Sequence, residues 1–173
     1  MIIKLVMSID SNTESSIRAL LDLAYEGDFS SEDWEHTFGG QYFIGFLDET
    51  IIAHGSVVPR NMFIDGQAIT VGYVEAIAVL PTHWRQGFGT QLMTQLTQFC
   101  QDNYELSMLS TGENQFYEKF GWLQFLGESY VRNGDSEVRT EEEDEGLMLI
   151  SGKKSGIREI RRAVCESRSG DDW

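Results

Sequence analysis

The stretch from Ile69 to Cys100, ITVGYVEAIAVLPTHWRQGFGTQLMTQLTQFC, limits what this chain can fold into more than any other part. Ile69 to Leu80 is an almost continuous apolar run, as expected of a buried strand. Pro81 stops it, since proline has no N–H to give a sheet ladder. After Gly87-Phe88-Gly89, the residues Leu92, Met93, Leu96, Phe99 and Cys100 fall on one apolar stripe at helical spacing. A buried strand, a tight glycine turn and a one-sided helix imply helices packed on a sheet.

The flanking sequence repeats that alternation. Ile2 to Met7 reads as a strand, and Ser11 or Asn12 opens a helix carrying Ile17, Leu20, Leu21 and Ala24 on one face. SSEDWEHTF reads as a short helix begun at Ser30 or Ser31 and ended by Gly39-Gly40. Gln41 to Leu47 and Ile51 to Val58 form a hairpin, and Asp65-Gly66 marks another. A strand is expected from Glu105 to Leu109 and a short helix from Glu113 to Phe120. Strands follow at Trp122 to Leu126, Tyr130 to Arg132 and Leu147 to Ile150, with TEEEDEG as a solvated loop before the last. A Gly/Ser/Lys-rich connection then leads to the C-terminal segment. With no internal repeat or linker, the expectation is one α+β domain over residues 1–173, its mixed sheet mostly antiparallel.

Charge narrows the partners. The formal net charge of −15 would repel nucleic acid and favours a cationic ligand. Cys100 and Cys165 fit neither a disulfide framework nor a metal spacing, and His36, His54 and His83 are scattered, so no metal is expected. The N-terminus turns polar too soon for a signal peptide, and no run approaches the ~20 apolar residues of a membrane span. The expected location is the cytoplasm.

Three places carry chemistry. The loop from Arg85 to Thr90 joins strand to helix, and its glycines let the backbone come close to a ligand. Free N–H groups at a helix start, with the macrodipole and the Arg85 charge, suit a diphosphate. The absence of GK[ST] excludes a Walker loop, and Leu92 stands where a dinucleotide fingerprint needs its third glycine. Glu75 interrupts the apolar strand, where a carboxylate beside a phosphate-binding loop suits a general base. Tyr117 in ENQFYEKFGW is a candidate acid, although Phe116, Phe120 and Trp122 nearby also suit simple core packing. Last, the chain closes on SGDDW, two aspartates and a large aromatic where chains usually fray.

Strand, RQGFG, amphipathic helix, short strand and FYEKFGW, in that order, resemble the GNAT superfamily of acetyl-coenzyme-A-dependent N-acetyltransferases. Trp84 stands where that superfamily's loop pattern usually has Arg or Gln. EGDFSSEDWEHTFGG, VGYVEAIAV and the ending CESRSGDDW are similar, more narrowly, to the aminoglycoside 2'-N-acetyltransferases. The segment from Ser110 to Tyr117 is shorter than in that family's better-known members.

The resemblance implies the GNAT fold, acetyl-CoA as co-substrate and an aminoglycoside or aminocyclitol antibiotic as acceptor, with a homodimer as the usual assembly. It implies Glu75 and Tyr117 as the catalytic pair. For coenzyme A it implies the strand backbone at Ile77, Ala78 and Val79, the loop residues Arg85, Gln86, Gly87, Phe88, Gly89 and Thr90, and Ser110. For the cationic acceptor it implies Asp28, Asp33, Glu75, Asp144, Asp171 and Trp173, whose α-carboxylate would add a charge. Glu75, directly or through water, takes the ammonium proton, the amine attacks the thioester, and Tyr117 protonates the departing thiolate. Two other readings fit the same composition: a GNAT enzyme for a polyamine or protein amine, and a binder of cations without chemistry.

Overall fold

The computed structural model of the chain describes residues 1–155 and 159–173; part of the connection expected after Ile150 lies outside them. These residues gather into two compact units, Met1–Val58 with Val74–Gln98, and Pro59–Tyr73 with Phe99–Trp173.

The first unit begins with strand β1 (Ile2–Val6) and helix α1 (Ser11–Ala24). The N-cap of α1 is Asp10 rather than Ser11 or Asn12: its carboxylate accepts the Thr13 N–H at 2.8 Å. Helix α2 (Ser31–Glu35) starts at Ser30 in a capping box, in which Ser30 and Asp33 each accept the other's backbone N–H. Strand β2 (Gln41–Leu47) pairs antiparallel with β1 and with strand β3 (Thr50–Ile64). Ile17, Leu20 and Leu21 of α1 pack with Trp34, Tyr42, Ile44 and Ala78 into this unit's core.

Strand β3 runs on past Val58, where the sequence analysis ended it. Pro59 falls between the residues of β3 that pair with β2 and those that pair with a later strand. A residue without an N–H is tolerated at such a changeover. Strand β4 (Gln67–Val79) follows the Asp65-Gly66 turn, and helix α3 (Phe88–Asn103) follows β4 and a single 3-10 turn at Pro81–His83.

The second unit adds strand β5 (Leu106–Ser110), helix α4 (Asn114–Glu118), and strands β6 (Leu123–Gln124), β7 (Glu128–Asn133), β8 (Ser136–Arg139), β9 (Leu147–Ser151) and β10 (Arg162–Glu166). Its strand order is β6-β9-β5-β4-β3-β10-β7-β8. The β4–β5 and β10–β7 pairs are parallel and the other pairs that run β5–β9, β6–β9, β7–β8 and β10–β3 are antiparallel, so the α+β class with a mixed sheet stands. Two elements go beyond the sequence reading. Residues 136–139 of the polar stretch form an edge strand, and the C-terminal segment inserts β10 between β3 and β7. Trp173 then packs into the core with Tyr73, Leu106, Phe125 and Cys165.

Candidate functional site

In the first unit the site is built around the end of β4. Glu75 is half-buried there. The next residue, Ala76, has φ +54°, inside the left-handed region that L-residues with a Cβ rarely enter. Such a residue within a strand kinks it and re-aims the neighbouring side chains. Three side chains bind the three carbonyls at the kink. The Ser56 hydroxyl donates to the Glu75 carbonyl at 3.3 Å, His54 Nδ1 lies 2.9 Å from the Ala76 carbonyl, and the Tyr25 hydroxyl donates to the Ile77 carbonyl at 3.1 Å. Gly55 leaves room for the Ile77 side chain, whose Cδ1 a Cβ there would meet.

His54 is completely buried, its ring set against those of Trp34 and Tyr42. Burial pushes its pKa down to about 4, the bond to the Ala76 carbonyl offsetting this only in part. Stability should follow. Between pH 6.5 and about 4 the unfolded chain takes up a proton at this position and the folded chain does not. The contribution is therefore whole above pH 6.5 and falls by up to about 3 kcal/mol as pH drops toward 4. Urea titrations across that window should show H54N losing less stability with acid than the wild type; equal slopes would put the acid sensitivity elsewhere.

The loop after β4 turns through two left-handed residues, Arg85 at φ +60° and Gly87 at φ +84°, and delivers the chain into α3. Arg85, Gln86 and Gly87 are exposed, and the Gly87 carbonyl already accepts the helical bond from Gln91. Gly89, by contrast, lies inside the first turn of α3. Trp84, in the place where Arg or Gln was expected, turns back, and its indole N–H donates to the Val79 carbonyl at 2.6 Å. Of the other two acids expected in this unit besides Glu75, Asp28 is exposed, and Asp33 is half-buried with one oxygen engaged in the α2 capping box.

The second unit holds the remaining residues. Ser110 is exposed at the end of β5, followed by Thr111, whose N–H donates to the Gly146 carbonyl. Tyr117 on α4 is 9% exposed, and burial pushes its phenol up to about 12 against a hydrogen bond with Thr111 that lowers it. It stays a proton donor throughout the physiological range. Asp144 does not project alone: it pairs with Arg139 and accepts from the Ser129 hydroxyl at 2.6 Å and the Ser129 N–H at 3.1 Å. Burial raises the proton affinity of Asp144, but Arg139 and Ser129 outweigh it and hold the carboxyl below its ordinary range.

The tail is ordered by Arg168. This side chain donates to the Asp171 carbonyl at 2.7 Å and to a main-chain oxygen of Trp173 at 3.0 Å, while its N–H donates to the Asp172 carboxylate at 2.7 Å. Asp171 accepts the Trp173 N–H, and Arg60 donates to the Asp172 carbonyl at 2.8 Å. The Trp173 indole N–H donates to the Thr140 hydroxyl at 3.0 Å, bringing the last residues against the acidic 3-10 turn Glu141–Glu143. There Glu143 has its proton affinity raised, first by burial and then by the charges of Asp171, Glu142 and Asp172.

Glu143, Arg168 and His54 escaped the sequence analysis. Arg168 stood inside the quoted C-terminal motif but had no assigned task, and Glu143 was hidden in a run of like residues. His54 carried no local signal, because what it touches lies 22 residues away. Both cysteines are buried, which pushes Cys100 up to about 12 and Cys165 up to about 11, so both remain thiols at neutral pH. Among the described residues no group of three or more His, Cys, Asp or Glu is placed to hold a metal ion, and no helix is long and apolar enough to cross a membrane.

Known proteins resemble this chain in sequence, and others in fold. Residues 6–125 match the family model described as an acetyltransferase (GNAT) domain. The aminoglycoside 2'-N-acetyltransferase of Mycolicibacterium fortuitum is 35% identical over 170 residues, covering 95% of this chain and 87% of that protein. The crystal structure of the GNAT family N-acetyltransferase YhbS from Escherichia coli, in complex with CoA, aligns at TM-score 0.67 with 17% identity over 95% of this chain and 88% of that one. A GNAT family acetyltransferase from Brucella melitensis, in complex with acetyl-CoA, aligns at TM-score 0.59 with 14% identity over 87% and 88%.

Proposed function

Because the chain belongs to the GNAT acetyltransferases, and among them to the family of the aminoglycoside 2'-N-acetyltransferases, we propose that it acetylates an amino group, the 2' position first, of an aminoglycoside or aminocyclitol antibiotic. The observation that carries the acceptor is the placing of the tail: the Trp173–Thr140 bond sets Asp171 and Asp172 near the turn Glu141–Glu143, where burial first, and then the charges of Asp171, Glu142 and Asp172, raise the proton affinity of Glu143. Like charges held together cost stability, and a bound cation offsets that cost. A polyamine shares the charge but not the family.

The strand end and loop of the first unit fit coenzyme A. The loop from Arg85 to Thr90, exposed at Arg85–Gly87 and Thr90, and the start of α3 offer N–H donors and a helix dipole to a diphosphate, and open space surrounds Gly87, where a Cβ would meet nothing within 4 Å. Ile77, Ala78 and Val79 offer backbone groups to the pantetheine arm, and Ser110 a hydroxyl. When bound, acetyl-CoA supplies the acetyl group as a thioester. In the second unit Asp171 and Glu143 are the candidates to hold ammonium groups, while Asp144 is already paired with Arg139; in the first unit the candidates are Asp28 and Asp33. Trp173 serves by anchoring the tail.

Glu75 removes the proton from the reacting ammonium, since only the free amine has a lone pair. The Ile77 N–H donates to the thioester oxygen as charge grows on it. Tyr117 donates its proton toward the departing sulfur. Its phenol binds a proton more tightly than a thiol does, so the phenolate so formed takes up the second proton of the attacking nitrogen. This leaves amide, thiol and a restored phenol, with the first proton on Glu75 released to solvent. No covalent acyl-enzyme forms. In the same reading the enzyme works in the cytoplasm as a homodimer and confers resistance.

A thiol-release assay with acetyl-CoA against a panel of aminoglycosides, polyamines and kasugamycin, with mass analysis of products, tests this. Acetylation of a 2'-amino drug is expected; turnover of polyamines alone would move the acceptor class, and no turnover at all would leave a cation binder. Tyr117→Phe should lower kcat about 100-fold with little change in CoA affinity. An unaltered kcat would reduce that hydroxyl to packing.

A further inference from the structure

The kink at Ala76 separates two groups that the proposed chemistry needs aimed correctly, the Glu75 carboxylate and the Ile77 N–H. A left-handed alanine inside a strand persists only where its surroundings hold it. Its carbonyl needs a donor, and His54 Nδ1 stands 2.9 Å away. The carbonyl can only accept, so Nδ1 must carry the proton. Nε2 is then the deprotonated nitrogen, and it is buried without a hydrogen-bond partner. A leucine would fill the space between Trp34 and Tyr42 without leaving such an atom. A polar ring kept there against that cost points to its one hydrogen bond.

We propose that His54 is the positioning residue for Glu75 and Ile77: its Nδ1–H, donated to the Ala76 carbonyl, holds the kink that sets the direction of the carboxylate and of the following N–H. Ser56 and Tyr25 secure the carbonyls on either side, at Glu75 and Ile77, while His54 binds the residue whose φ is reversed. The ring stays neutral at working pH, as its low proton affinity requires. The catalytic consequence rests on the acetyltransferase reading above; the structural one does not.

Three variants separate a donor from a core filler. H54N places an amide N–H where Nδ1 stands, H54Q carries its N–H one bond too far, and H54L keeps apolar bulk. Once thermal melts show all three folded, H54L and H54Q should lower kcat by about 10- to 100-fold with the KM for acetyl-CoA nearly unchanged, and H54N should recover kcat to within about 3-fold. In an E75Q background H54L should cost less than it does in the wild type, because the share that acts through Glu75 is already lost and only the share through the Ile77 N–H remains. Folded H54L with wild-type kcat, or H54N as slow as H54L, overturns the proposal. Independently of any turnover, nitrogen-15 NMR should find the Nδ1–H tautomer from pH 5 to 8, and the Ile77 amide resonance should shift in H54L but return in H54N. An Nε2–H tautomer or an unmoved amide also overturns it. If the wild type acetylates nothing, the acetyltransferase reading falls, and these NMR arms still decide the role of His54.

Discussion

Glu75→Gln is expected to lower kcat by about 10²- to 10⁴-fold, the range a positioned general base contributes, while calorimetry finds CoA affinity unchanged. The amide is nearly isosteric with the carboxylate, so the half-buried strand end keeps its packing. What it loses is the ability to accept the ammonium proton. The variant should then depend on solvent to free the amine. Its rate should climb about tenfold per pH unit toward the amine pKa, well above the range where the wild type levels off. A variant with wild-type kcat, or one with the wild-type pH profile, would remove Glu75 from proton transfer. A variant that instead lost CoA affinity would make Glu75 part of the cofactor site.

The second large effect is expected at Trp173. Its side chain is only 3% exposed, packed with Tyr73, Leu106 and Phe125 and bonded to the Thr140 hydroxyl. Trp173→Ala should cost about 3–5 kcal/mol by opening a cavity, which for a chain this long lowers Tm by about 10 °C. It should also weaken aminoglycoside binding by at least about tenfold, because Asp171 and Asp172 lose the anchor that holds them beside Glu143. CoA affinity should stay near wild type at temperatures where the variant is folded. Trp173→Phe separates the two contributions: it keeps the ring in the core and forfeits the Thr140 bond, for about 1 kcal/mol. If Trp173→Ala melts and binds drug like the wild type, the tail is dispensable.

Much of the architecture was legible because its signals are local. The apolar run of β4, Pro81, the glycine turn and the stripe of α3 each follow from residues within a few positions of one another. Even so, β8 and β10 were not read as strands. Ser136 to Arg139 is polar and mostly exposed at a sheet edge, and so lacks the apolar alternation that marks a half-buried strand. Arg162 to Glu166 is short, and its place between β3 and β7 comes from pairing across about a hundred residues of chain on one side.

Within the site, residue types were readable and their partners were not. Asp144 looked like one acid in an acidic run, yet Arg139 and Ser129 hold it, and Glu143 beside it is the one that feels Asp171 and Asp172. The closing SGDDW announced that charge and an aromatic were wanted at the tail, while Arg168 and Thr140 decided how they are held.

By itself, then, the sequence determined the α+β class, the strand–loop–helix that suits a phosphate-bearing carrier, the excess of negative charge and the family of the chain. Only the tertiary structure decided that Ala76 is reversed and bound by His54, which acids crowd together, and which are neutralised by an arginine. The division has a physical cause. Periodicity and turn chemistry act between neighbours along the chain, whereas hydrogen bonds and charge interactions depend on distance through space, which folding alone sets.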